Sequence, residues 1–211
     1  MLDKNKVILW DFDGVLMNSN AVRDLGFEQV LSNYPKEQID ELMLFHRMNG
    51  GLSRYVKFRY FFENIRNENV TEGQINVLAQ QFSNIMLQLL QDEKLLIENS
   101  VNFVKNNYEK FEMHIVSGSD GMELNIICNA IGIAKYFKTI SGSPTPKKEL
   151  VKTIVSNHHL PASDFCLIGD SINDFEAAET NGIFFYGYNN IELNNLGVKY
   201  INSFNFGGSI F

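Results

Sequence analysis

The stretch Val7-Ile8-Leu9-Trp10-Asp11-Phe12-Asp13-Gly14-Val15 sets an apolar run against a polar turn. Four apolar residues that begin with two β-branched side chains and stop at Asp-Phe-Asp-Gly read as a buried strand ending in a tight loop. The pattern recurs downstream. Met113 to Val116 stops at Ser117-Gly118-Ser119-Asp120, Phe137 to Ile140 at Ser141-Gly142-Ser143-Pro144, Phe165 to Ile168 at Gly169-Asp170-Ser171, and Ile183 to Tyr186 at Gly187. Helix-like periodicity fills 120–132, 146–158 and 172–181 between them. This alternation predicts an α/β fold: a Rossmann-like parallel sheet with helices on both faces.

One interval breaks the rhythm. Between 18 and 97 no buried-strand run occurs. Amphipathic periodicity predicts helices over Pro35–Met48, Leu52–Ile65 and Thr71–Leu90, the last opened by a capping-box spelling, Thr71 with Gln74. The expected organisation is a core of 1–17 and 98–211 with an inserted α-helical cap over 18–97. The Asn-rich stretch 189–195 is read as a surface loop.

Composition narrows the function. With 45% hydrophobic and 20% charged residues the 211-residue chain can bury a sizeable core. A net charge of -7 gives no global attraction to nucleic acid or to an anionic membrane. The apolar run at 7–10 is too short for a signal-peptide core or a membrane span, so a cytoplasmic location is expected. Cys128 and Cys166 lie in apolar runs without CxxC spacing and are read as inert buried thiols. The sequon at Asn69 has no role in such a chain. His46, His114, His158 and His159 lack metalloprotease spacing and are read as structural or surface residues.

In a parallel sheet, ligands gather at the carboxyl ends of the strands. Asp11 and Asp13, Ser117 and Gly118, Lys147, and Asp170 with Asp174 all fall at such ends. Carboxylates crowded at one rim raise one another's pKa unless a hard cation joins them, and oxygen-only ligation suits Mg²⁺. A hydroxyl, a lysine and outward amides beside that cation would hold a phosphoryl group, and a carboxylate there can attack phosphorus.

The Asp11-Phe12-Asp13-Gly14-Val15 loop, Ser117-Gly118, Lys147 and Gly169-Asp170-Ser171-Ile172-Asn173-Asp174, in that order, resemble the four motifs of the haloacid dehalogenase-like superfamily of phosphohydrolases. The helical insertion sits where that superfamily carries its C1-type cap. The resemblance, nearest to the phosphoglycolate phosphatase and beta-phosphoglucomutase group, implies Asp11 as nucleophile and metal ligand. It implies Asp13 as general acid/base with its carbonyl on Mg²⁺, Ser117 and Gly118 on the phosphoryl group, Lys147 steadying both, and Asp170 and Asp174 at the metal. The family's K-x-E spelling points to Lys147 over Lys148. Asp13 argues against dehalogenase chemistry, whose enzymes lack an acid at that position. Gly50-Gly51-Leu52-Ser53-Arg54 resembles a cap loop that offers an arginine to the substrate's far end, so Arg54 is a candidate substrate ligand. Alternatively Arg54, Lys57 and Arg59 form a solvated helical face. Tyr55, Phe58, Tyr60, Phe61 and Phe62 are read as the cap's own core, Trp10 as sheet core and Asn173 as a first-turn polar residue.

The expected activity is a Mg²⁺-dependent phosphatase acting on a small phosphomonoester. The alternative is a sugar phosphomutase of the beta-phosphoglucomutase type, which would return the phosphoryl group to a sugar. A signalling receiver domain is excluded because its phosphoacceptor lies on a middle strand. A catalytically idle interaction protein would not need every catalytic residue type.

Overall fold

The computed structural model describes Leu2 and residues 5–204. In chain order the elements are β1 (Val7–Trp10), α1 (Asn20–Val30), α2 (Lys36–Met48), α3 (Arg54–Tyr60), α4 (Glu72–Leu89), α5 (Glu98–Asn107), β2 (Glu112–Asp120), α6 (Gly121–Ala130), β3 (Thr139–Ser143), α7 (Lys147–Ser156), β4 (Phe165–Gly169), α8 (Ile172–Thr180), β5 (Phe184–Tyr188) and β6 (Lys199–Ile201). The six strands form one parallel sheet in the order β3-β2-β1-β4-β5-β6. β1 is central, with Trp10 beside Ile115 on one side and Ile168 on the other.

Alternation along the strands divides the buried residues between two cores. Ile8, Trp10, Met113, Ile115, Cys166 and Ile168 face one layer, while Val7, Leu9, Val116, Phe165 and Leu167 face the layer built by α7 and α8. Burial on both faces is why these strands read as unbroken apolar runs. Trp10 packs against Phe103 and Phe204 in the first core. Both cysteines are free and buried, and burial pushes the Cys128 thiol up to about 12. Among the described residues no helix is long and apolar enough to cross a membrane.

Helices α1 to α4 lie over the carboxyl ends of the strands. The capping box of α4 forms, with Thr71 N–H donating to Gln74 Oε1 at 2.9 Å. Several expectations need correction. Helix α1 was not anticipated, because its buried face consists of Arg23, Gly26 and Phe27 and has no apolar stripe. Gly26 lets α1 approach α4 closely: a Cβ there would lie 2.6 Å from Met86 Cε. The helix expected over 52–65 divides into α3 and a π-helical segment, Phe61–Ile65. Helix α5 and the three-residue edge strand β6 also escaped the periodicity. The Asn-rich stretch is no loose loop: Ile191–Leu196 is a 3₁₀ helix, capped by Asn190 and ended by Gly197 at φ +68°.

Candidate active site

The floor of the site is built by the turns that end β1 and β4. Asp11 continues β1 and donates its N–H to the Ile168 carbonyl at 2.9 Å. The chain then folds back so tightly that Leu16 and Met17 both donate to the Phe12 carbonyl. Gly14 takes φ +75°, and a Cβ on it would lie 1.9 Å from Asp170 Oδ2, so glycine is required twice over. Carboxylate oxygens of Asp11, Asp170 and Asp174 lie within 4.8 Å of one another.

Lys147, the first residue of α7, reaches into this cluster. Its Nζ donates to Asp11 Oδ1 at 2.7 Å and to Asp174 Oδ1. Lys148 faces solvent. The other oxygen of Asp174 accepts from the Ser171 amide at 3.0 Å and the Ser171 hydroxyl at 2.7 Å, closing the capping box of α8. Both oxygens of this fully buried carboxylate are thereby engaged.

One lysine does not neutralise three acids. Burial and the Asp174 carboxylate push Asp11 up to about 7, even with Lys147 opposing them. Burial and the charges of Asp11 and Asp174 hold Asp170 well above the usual carboxylate range. Such a surplus of buried negative charge fits a hard divalent cation bound by oxygen.

Asp13 is in a different state. Burial alone would raise it, but the Arg23 guanidinium and the Ser119 and Ser19 hydroxyls reverse this and bring it to about 2. Arg23 Nε donates to Asp13 Oδ1 at 2.9 Å, and Ser119 Oγ to Asp13 Oδ2 at 2.5 Å. Arg23 Nη1 also pairs with Glu123 Oε1 of α6 at 2.5 Å, and Glu123 Oε2 lies 2.6 Å from Arg54 Nη1. Four charges, three of them buried and Asp13 partly so, thus run from the loop after β1 through α1 and α6 to α3. Ser117 is buried at the end of β2, its Oγ accepting from the Ser119 amide at 3.1 Å. Gly118 lies directly against the loop between α2 and α3, for a Cβ there would come within 2.4 Å of the Gly51 carbonyl oxygen.

Above the floor lies a cavity of about 640 Å³, lined among others by Asp11, Asp13, Asp170, Ser117, Gly118, Arg23, Arg54 and Lys57. The structure therefore brings every candidate residue to one space, Asp174 and Lys147 standing just behind its wall. A solvated face for Arg54 and Lys57 is ruled out, since both are buried. Arg54 Nη1 is committed to Glu123 and, at 2.6 Å, to Ser83 Oγ, while its Nε finds no partner among the described residues. Lys57 Nζ donates to the Gly50 carbonyl at 3.2 Å, and burial pushes it down to about 7. Phe58, Phe61 and Phe62 are buried among the helices and Tyr55 and Tyr60 pack partly buried against them, as expected, with the Tyr55 hydroxyl also donating to Asp120 at 2.9 Å. Asn173 faces the loop between α2 and α3, its Cβ 2.8 Å from where a Cβ on Gly51 would sit.

Sequence reasoning missed Ser19, Arg23, Ser119, Glu123, Asn189 and Asn190. Asn189 Nδ2 donates to the Gly14 carbonyl at 2.9 Å and Asn190 Nδ2 to the Asp170 carbonyl at 2.8 Å, bracing the two acidic turns. Only Ser119, within Ser117-Gly118-Ser119, carried a local signal. The rest depend on the tertiary fold.

The family profile described as "Haloacid dehalogenase-like hydrolase" matches residues 8–188. The chain belongs to this family. As a hydrolase it can be set beside the phosphoglycolate phosphatase of Colwellia psychrerythraea, to which it is 22% identical over 202 residues, covering 89% of this chain and 88% of that protein. This likeness is consistent with a phosphoric monoester hydrolase. Two solved structures share the hydrolase's fold. CbbY from Rhodobacter sphaeroides, in complex with xylulose-(1,5)bisphosphate, superposes with a TM-score of 0.76 at 13% identity, covering 98% of this chain and 97% of that one. The beta-phosphoglucomutase of Clostridium difficile gives 0.74 at 15% identity, covering 95% and 92%.

Proposed function

We propose that this hydrolase is a Mg²⁺-dependent phosphatase of small phosphomonoesters that works through an aspartyl-phosphate on Asp11. The observation that carries the reading is the cluster of Asp11, Asp170 and Asp174 at the strand ends, with Lys147 bonded to two of the three. Asp11, the Asp13 carbonyl and Asp170 would hold the ion, with Asp174 fixing Lys147 beside it. Bound Mg²⁺ would supply the missing positive charge and polarise the phosphoryl oxygens.

In the first step an Asp11 oxygen attacks phosphorus, the bond from phosphorus to the ester oxygen breaks, and the departing alkoxide takes a proton from the Asp13 carboxyl. In the second, water attacks phosphorus, the Asp13 carboxylate takes the water's proton, and the acyl-phosphate bond breaks to restore Asp11. Arg23, Ser19 and Ser119 hold Asp13 in the ionised form that the second step uses. The form that donates depends on substrate entry loosening those contacts. Ser117 and the backbone at Gly118 steady the phosphoryl group.

Residues 18–97 act as a cap domain on a core of 1–17 and 98–211. Arg23, Arg54 and Lys57 face the cavity above an acidic floor; the two arginines are paired with Asp13 and Glu123, and Lys57, bonded to a carbonyl, is the cation that suits a second anionic or hydroxylated end of a substrate. The relative named for phosphoglycolate, a small ester with a phosphate at one end and a carboxylate at the other, supports the same class. A cytoplasmic location fits two thiols left free and buried. No observation favours the mutase, since the beta-phosphoglucomutase likeness is one of fold.

A panel of phosphorylated acids, sugars and nucleotides tests the reading. Phosphate release should require Mg²⁺ and return when a chelator is overcome with excess metal. Accumulation of an isomeric sugar phosphate with little free phosphate would restore the mutase, and full activity in chelator would remove the metal from the mechanism.

A further inference from the structure

At the opposite end of the sheet, where β2 begins, Glu112, His114 and His158 converge. Glu112 and His114 are two apart on the same strand and share a face. His158 lies just past the end of α7, whose C-terminus packs over that face. Both imidazoles point Nε2 at one atom, Glu112 Oε1, from 3.1 Å (His114) and 2.9 Å (His158). Both rings are held from behind: His158 Nδ1 lies 2.7 Å from the Ile154 carbonyl oxygen and His114 Nδ1 2.8 Å from Thr139 Oγ1.

The hydrogen-bond roles expose a conflict. A carbonyl only accepts, so His158 must carry a proton on Nδ1, and in the neutral ring Nε2 is then a lone pair. That lone pair faces a carboxylate oxygen that also has only lone pairs to offer. A cation has to reconcile them, either a second proton on the imidazole, lying on the line between the two atoms, or a metal ion bound to both from beside that line. The backing of the rings suits a metal. Ligating histidines characteristically donate their second ring nitrogen to an oxygen behind them, as His158 does here and His114 can. The two imidazole nitrogens and one carboxylate oxygen all lie within 4.8 Å of one another, so small side-chain rotations would open the contacts to the edges of about 3.3 Å of a tetrahedral zinc site with 2.0–2.1 Å bonds. Lys138 Nζ approaches only the other carboxylate oxygen, Oε2, at 3.5 Å and leaves Oε1 to the imidazoles. His114 is buried, whereas Glu112 and His158 keep partial exposure, which leaves an entry path and room for water as a fourth ligand.

We propose that Glu112, His114 and His158 form a second metal site, separate from the catalytic cluster, that takes a zinc-class divalent ion through two imidazoles and one carboxylate. Its ion would tie the start of β2 to the end of α7. No step of the hydrolysis passes through it.

Cobalt(II) is the probe. Titrated into the full chain under saturating Mg²⁺, which occupies the carboxylate cluster, it should give the visible absorption of a low-coordinate nitrogen and oxygen site, saturating at one equivalent and bleached by Zn²⁺. His158→Ala and Glu112→Gln, both at partly exposed positions, should lose the band while their far-ultraviolet circular dichroism is unchanged. Asp170→Asn should keep it. Zn²⁺ should raise the Tm of the wild type and leave that of His158→Ala where it was. Absence of the band in the wild type, or its persistence in His158→Ala, would reduce the cluster to an imidazolium–carboxylate pair and overturn the proposal.

Discussion

Arg23→Met cuts the charge chain at its middle, and the structure sets the size of the effect. The guanidinium bonds Asp13 on one side and Glu123 on the other, and all three groups are largely shielded from water. Holding Asp13 at about 2 instead of the ordinary 3.8 contributes about 2 kcal/mol at neutral pH. Glu123, whose side chain is fully buried, would keep Arg54 alone. Breaking a buried pair from one side costs about 3–5 kcal/mol, so the Tm should fall by roughly 6–20 °C for a chain of this size. The sign with pH follows. A depressed carboxyl pKa contributes stability that is complete above 3.8 and lost as the pH falls toward 2, so the gap between wild type and variant should be flat from roughly pH 5 to 8 and narrow only in acid. Glu123→Gln in the Arg23→Met background should recover part of the loss, because the stranded carboxylate disappears with its partner. Urea midpoints and thermal scans of the four proteins close the cycle. Strict additivity of the two substitutions, or a loss no larger than that of the exposed Arg47→Met, would refute the reasoning.

Asp11→Asn should fold and lose turnover by roughly several powers of ten, as measured by phosphate release; appreciable activity in a clean preparation would sink the aspartyl-phosphate. Lys147→Ala should lower kcat by about 10²–10³-fold while Lys148→Ala, at an exposed position, should change it little, and the reverse ranking would reassign the lysine. Lys57 loses its charge as the pH rises through about 7, so KM for an anionic substrate should climb across that range in the wild type and stay level in Lys57→Met. Identical slopes in the two proteins would remove Lys57 from the binding surface.

The acidic turns were legible because a buried parallel strand is a run of apolar residues that must stop, and what stops it is visible one residue later. Asp11, Ser117 and Asp170 were found in this way, and Lys147 through the spelling around it. Arg23 and Glu123 were not, for the opposite reason. A buried arginine on a helix looks like a surface residue until its carboxylate partner, a hundred positions away, is folded against it. Helix α1 was lost with them, since charge and Gly26 occupy the face where an apolar stripe would have announced it. Asn189 and Asn190 read as loop because asparagine signals turns; their amides instead brace the carbonyls of Gly14 and Asp170. The histidines were judged by spacing along the chain, and only the sheet brings His114 and His158 to the same carboxylate.

The apposition of Gly51 and Gly118 has one more consequence. There the loop before α3 and the end of β2 meet backbone to backbone: a Cβ on Gly118 would lie 2.4 Å from the Gly51 carbonyl oxygen, and one on Gly51 would lie 2.8 Å from Asn173 Cβ. Alanine at Gly51 acts as a shim one methyl thick, inserted at the rim against Asn173 and the Ser171 hydroxyl. The pair therefore sets the clearance between roof and floor, and substitutions at Gly51 would grade that clearance by side-chain volume while every carboxylate stays in the chain, so that seclusion from water becomes a quantity to vary.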